Sequence, residues 1–263
     1  MGAERKIYIV GNWKMNFTPG EASLYLQKLS DKVVHGRDIQ IIVAPSTIAL
    51  QTLSLQVNRR EFKLAAQNIH WRDFGAFTGE TSAGQLCGIV DYALVGHSER
   101  RYMFHEHEKI TKEKVAAALR NKITPILCIG ETARERSENE TDMVIRDQLI
   151  GGLSDVVKEE LDRVIVAYEP VWAISSNKDA KLATPDEVKD AVAMVRKHIA
   201  DVYGKKAAEE LPVLYGGSIN NCNAGTYLRI EGVDGLLMGG ASLIADEFSS
   251  IVNIAKEVRD ERN

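Results

Sequence analysis

Val164-Ile165-Val166-Ala167-Tyr168-Glu169-Pro170-Val171-Trp172 runs from an unbroken apolar and aromatic stretch straight into a carboxylate and a proline. The stretch does not alternate apolar with polar residues, so both of its faces must be covered. It reads as a parallel strand ending at Tyr168 and presenting Glu169 at its C-terminal end. Similar runs recur along the chain at Ile7–Val10, Ile41–Ala44, Leu64–Ala66, Ala93–Val95, Ile126–Ile129, Val213–Tyr215 and Leu236–Met238. Helical spacing fills most of the gaps. Leu24, Leu26, Leu29 and Val33 form one such set, Val115, Ala118 and Leu119 another, and Val188, Val192, Val195 and Ile199 a third. Thr18-Pro19-Gly20-Glu21 and Thr184-Pro185-Asp186-Glu187 are explicit helix starts, with Thr as N-cap, Pro at the first position and Glu at the third. Strands alternating with helices allow either a closed (β/α)₈ barrel or a doubly wound open sheet. Neither GxGxxG nor GxxxxGK[ST] follows the first strand, which counts against the nucleotide-binding open sheets. The 263 residues suit one α/β domain over 1–263, since barrels of this kind run to about 250 residues.

Composition narrows the function classes. Hydrophobic residues make up 44% and charged residues 27%, an ordinary globular balance, and the net charge of −4 offers no basic surface for nucleic acid or an anionic membrane. No apolar run approaches the roughly 20 residues of a membrane span. Ile7–Val10 is too short for the core of a signal peptide, so a cytoplasmic location is expected. Cys87, Cys128 and Cys222 form no CxxC pair, which argues against a zinc site or a disulfide framework, and no metal or cofactor is expected.

In a (β/α)₈ barrel the reactive residues come from the C-terminal ends of the strands. Here strand 1 runs into Gly11-Asn12-Trp13-Lys14, strand 4 into Gly96-His97-Ser98-Glu99-Arg100 and strand 6 into Glu169-Pro170-Val171-Trp172. Strands 7 and 8 end at Gly216-Gly217-Ser218 and Gly239-Gly240. Each feature alone has an ordinary structural reading: a solvated lysine, a hydrogen-bonded histidine, a strand-end charge, two turns. Together they place a lysine, a histidine and a glutamate on one face. Beside them are two glycine-rich turns where backbone amides can approach a phosphate. The residues alone therefore point to acid–base chemistry on a phosphorylated substrate.

The same segments resemble the signature segments of the triosephosphate isomerase family. They are Gly11–Asn16, Gly96–Arg101, Tyr168–Ile174, Tyr215–Ser218 and Gly232–Gly235 leading to Gly239–Ser242, in order between Ile7 and about Ile251. The resemblance implies a single (β/α)₈ TIM barrel that interconverts dihydroxyacetone phosphate and D-glyceraldehyde 3-phosphate through an enediolate, in glycolysis and gluconeogenesis. It implies that Glu169 is the general base and His97 a neutral electrophile, kept so by a helix N-terminus, a pattern already known for this family. Lys14 would offset the substrate's negative charge, Asn12 add a polar donor, and Glu99 support Lys14 and His97. Ser218, Gly239 and Gly240 would bind the phosphate through backbone amides. Gly75-Ala76-Phe77-Thr78-Gly79-Glu80 resembles the loop by which the family dimerises, so a homodimer is implied.

The sequence departs from the family after Trp172-Ala173-Ile174. There the family's lid usually reads Gly-Thr-Gly-Lys, and this chain has Ser175-Ser176-Asn177-Lys178 and a longer segment before Thr184-Pro185. Ser175 takes the position whose backbone amide caps the phosphate; serine keeps that donor but loses the freedom of glycine. Ala180 and Ala183 compete for the far hinge. Cys128 is expected to serve packing. Two other functions stay open on the residues alone: another phosphate-binding barrel enzyme, and a catalytically silent barrel used for binding.

Overall fold

The computed structural model describes residues 6–33, 36, 38–174 and 180–262. Eight parallel strands close into one barrel in sequence order. They are β1 (Ile7–Asn12), β2 (Ile39–Ala44), β3 (Phe62–Ala66), β4 (Tyr92–Val95), β5 (Thr124–Ile129), β6 (Ile165–Tyr168), β7 (Val213–Gly217) and β8 (Gly235–Met238). Every apolar run picked out in the sequence falls in a strand, with Val164 alone just outside its own. The seam between β1 and β8 pairs Tyr8 with Gly235. A Cβ at Gly235 would lie 2.1 Å from the Tyr8 carbonyl oxygen, so only glycine lets the backbones meet there.

Side chains alternate across the barrel wall. Val10, Ile42, Ala44, Ala65, Leu94, Ile126, Cys128, Ile165, Ala167, Leu214 and Leu237 fill the interior. Their strand neighbours, among them Ile9, Val43, Val95, Val166, Tyr168 and Tyr215, pack outward in a second core under the helices. That split explains the unbroken apolar runs, because both faces are dry.

Both helix starts form as expected. Thr18 and Thr184 each complete a capping box with Glu21 and Glu187, opening the helices Pro19–Lys32 and Pro185–Tyr203. The latter buries Val188, Val192, Val195 and Ile199 and stops at Gly204, whose φ of 93° is left-handed. Between them, Glu108–Arg120 buries Val115, Ala118 and Leu119. The first helix differs from expectation at Leu24, which is 66% exposed. Leu26, Leu29 and Val33 share a face at i, i+3 and i+7, and Leu24 lies off it. Tyr25 packs there in its place and donates its hydroxyl to the Ser242 carbonyl at 2.5 Å.

Candidate active site

The alternation that fills the barrel also selects what stands at its C-terminal mouth. In β6, Ile165 and Ala167 point inward, and Glu169 follows them by the same two-residue step. In β1, Val10 points inward and Asn12 follows it. Asn12, His97 and Glu169 are each about 5% exposed. They line one cleft with Lys14, Ile174, Gly217, Leu237, Met238 and Gly239.

His97 caps the helix Ser98–Met103, and its Nδ1 accepts the Glu99 backbone N–H at 3.2 Å. An accepting nitrogen carries no proton, so the neutral ring bears its hydrogen on Nε2. That nitrogen faces Glu169 Oε1 at 3.6 Å, beyond hydrogen-bonding distance, so the two groups adjoin without being tied together. Among the described residues, the other Glu169 oxygen, Oε2, has no hydrogen-bond partner although it is buried. Burial, reinforced by the Glu169 charge, pushes the Cys128 thiol well above its ordinary pKa. Cys128 is thus an inert interior residue beside the carboxylate.

Lys14 has a φ of 51°, an unusual conformation for a side chain of its size. The turn around it is pinned. Its N–H donates to Asn12 Oδ1 at 3.1 Å, and Gln67 donates from Nε2 to the carbonyls of Lys14 and Ala44, both at 2.8 Å. Its Nζ meets Glu99 Oε1 at 2.6 Å. Glu99 thus touches Lys14 through its carboxylate and His97 through its amide. Gly239 adjoins Lys14, since a Cβ there would stand 3.4 Å from the lysine Cε. Gly240 begins a short 3₁₀ turn and leaves open space in front of it.

Ser218 stands apart from the other expected phosphate ligands. Its N–H and its hydroxyl both donate to the Ala173 carbonyl, at 2.9 and 2.7 Å. Its amide is therefore engaged with the segment after β6 in this structure. Ser175, Ser176 and Asn177 lie outside the described residues. Ala183 is buried, and its carbonyl accepts the Tyr227 hydroxyl at 2.7 Å just before the Thr184 cap. Among the described residues no group of three His, Cys, Asp or Glu side chains could hold a metal ion.

A model of the family described as triosephosphate isomerase matches residues 7–255. The chain belongs to the triosephosphate isomerase family. A protein named triosephosphate isomerase from Alkaliphilus oremlandii is 41% identical over 95% of this chain and 99% of its own length. One of the same name from Streptococcus mutans is 37% identical over 96% of this chain and 99% of its own, and one from Clostridium perfringens is 37% identical over 93% and 98%. In this chain Asn12, Lys14, His97, Glu169 and Gly239 line one site at the barrel mouth.

Sequence reasoning missed several parts of that site. Gln67 stands one residue beyond β3 and fixes Lys14; reading the end of strand 3 as the other ends were read would have found it. Arg101 binds the carbonyls of Gly96 at 2.7 Å and Cys128 at 3.2 Å, tying the ends of β4 and β5 beneath Glu169. Ile174 and Leu237 supply the apolar walls.

Proposed function

We propose that the protein interconverts dihydroxyacetone phosphate and D-glyceraldehyde 3-phosphate, in glycolysis and gluconeogenesis, as one catalytic barrel domain. The observation that carries this reading is the pair Glu169 and His97, both buried and adjoining but unbonded, in one cleft with Lys14. Glu169 removes a proton from the carbon next to the substrate carbonyl and returns it to the neighbouring carbon. His97 donates from Nε2 to the oxygens on which enediolate charge develops and passes the hydroxyl proton from one of them to the other, its Nδ1 being held by the Glu99 amide. Lys14 offsets the negative charge of the substrate, with Asn12 beside it. Gly239, Gly240 and Ser218 offer amides to the phosphate; for Ser218 this requires release from the Ala173 carbonyl. These steps call on no cofactor.

A homodimer is part of the same reading. Gly75, at φ 139°, and Gly79, at φ 90°, shape a loop in which the Phe77 ring packs on His70 with centroids 4.2 Å apart. Phe74 and Met15 stand 90% and 96% exposed. Apolar side chains this open on a preformed loop and beside Lys14 fit burial in a second copy. A cytoplasmic location fits a triose phosphate substrate.

The deciding experiment is an isomerase assay of the purified protein, coupled to reduction of its product. Activity is expected, and Glu169→Gln should keep the fold by circular dichroism while lowering kcat by about 10²- to 10⁴-fold, the usual worth of a positioned base. Absence of activity in the unaltered protein, or near-normal turnover in the variant, would overturn the assignment.

A further inference from the structure

Arg136 lies outside the residues assigned to the reaction, yet it touches both flanks of the segment that carries Glu169. It sits in the short helix Ala133–Ser137 after β5. One arm, Nη1, reaches Glu131 Oε1 at 3.3 Å and the other, Nη2, reaches Glu187 Oε1 at 2.5 Å. Its plane lies over the Trp172 ring, with Cζ 4.6 Å from the centroid. Glu131 is fully buried and gathers the rest. Its carboxylate accepts Trp172 Nε1 at 2.9 Å and the Tyr168 hydroxyl at 3.1 Å, and its backbone carbonyl accepts the Val171 N–H at 2.9 Å. Tyr168, Val171 and Trp172, the neighbours of Glu169 and Pro170, are therefore all held by Glu131 and Arg136. On the far side, Glu187 is the third residue of the capping box that starts the helix Pro185–Tyr203.

We propose that Arg136 is a positioning residue for the isomerisation: it fixes the Glu169–Trp172 segment against the helix Pro185–Tyr203, with Glu187 as its counter-charge. The proposal rests on the function assigned above. Only a planar cation can offer an edge to two carboxylates and a face to an indole at once; the ammonium of lysine is a point charge. The charges are mutually supported. Burial alone would lower the Arg136 pKa, but Glu187 and Glu131 outweigh it and hold it raised. Both side chains of the Arg136–Glu187 pair are about one-third exposed, at 32% and 31%, so the pair adds little stability. Its effect is on place, and a reacting group displaced by about 1 Å can lose on the order of a hundredfold in rate.

Three variants test this. Glu187→Gln keeps a side chain able to complete the capping box and removes only the charge. Arg136→Lys keeps the charge and loses the plane, and Arg136→Gln loses both. Arg136→Gln is expected to lower kcat on the order of tenfold or more with the fold kept by circular dichroism, although the thermal midpoint should fall because the fully buried Glu131 loses its counter-charge. Arg136→Lys should recover only part of that loss, and adding Glu187→Gln to Arg136→Gln should cost nothing further. Trp172 gives a readout that needs no substrate: acrylamide quenching of its fluorescence, isolated by subtracting a Trp172→Phe variant, should rise in Arg136→Gln. A kcat within about twofold of normal, full recovery by lysine, or additive losses in the double variant would overturn the positioning role. So would unchanged quenching. Inactivity of the unaltered protein would instead count against the isomerase assignment, and the quenching result would stand apart from it.

Discussion

Gly216 lies against Glu169, and a Cβ built on it would stand 2.5 Å from Glu169 Cγ and 3.0 Å from Oε1. The backbone there is not in the left-handed region, so alanine is conformationally allowed and the nearest conflict is with the Glu169 side chain. Gly216→Ala should therefore fold normally and turn the Glu169 carboxylate, the proposed base, aside. We expect kcat to fall on the order of a hundredfold, the cost of a misplaced reacting group, with KM changed far less. A steady-state comparison at matched thermal stability checks it; unchanged kcat would mean that Glu169 has room to retreat. Lys14 illustrates the converse at the same scale. Its unfavourable φ is kept by Gln67 and Asn12, so the two supporting amides belong to the site as much as the cation does.

At the scale of elements, the helix Pro185–Tyr203 begins two residues after Ala183 and carries Glu187 in its cap. Thr184→Ala removes the cap hydroxyl and leaves the Glu187 carboxylate in place. It should cost about 1 kcal/mol of stability, lowering Tm by roughly 2–4 °C for a chain of this size. Calorimetry reads this directly, and an unchanged Tm would show that the helix start is held by Pro185 and Arg136 instead. The same element shows what a sequence discloses. Its cap, its apolar face and its position after a strand were all legible, because capping boxes and 3.6-residue spacing are local patterns. The strand-end residues Asn12, Lys14, His97 and Glu169 were legible for a related reason: each is a polar residue where an apolar run stops. Leu24 was misplaced because four apolar residues in ten do not say which three share a face. Gly216 read as a turn, whereas it is a strand residue whose missing side chain makes room for Glu169. The tie between Ser218 and Ala173, and the reach of Arg136 to Glu131 and Glu187, join residues distant in sequence and left no local mark.

At the scale of the whole molecule, buried tyrosines give the protein an alkaline limit. Burial raises the phenol pKa of Tyr25, Tyr92, Tyr168 and Tyr215 above the ordinary 10, with the Glu131 carboxylate adding to the effect at Tyr168. A group whose folded pKa lies above its unfolded value contributes stability that is complete below the unfolded value and is lost as pH rises past it. Lys114 and Lys256, both lowered by burial, act in the opposite sense but are two groups against several. Urea midpoints should therefore decline from about pH 10 upward, and a flat profile to pH 11 would contradict the burial of these rings. The exposed Phe74 and Met15 set a second expectation: sedimentation at micromolar concentration should give a dimeric mass, and a fully active monomer would contradict it. A last consequence concerns insertions and deletions. Ile165, Ala167 and Glu169 share one side of the barrel wall by parity, and Val166 and Tyr168 share the other. Losing a single residue from β6 would send the carboxylate outward under the helices and bring the phenol of Tyr168 to the mouth. Length changes in this strand are thus tolerable to the chemistry only in pairs, a constraint that point substitutions never meet.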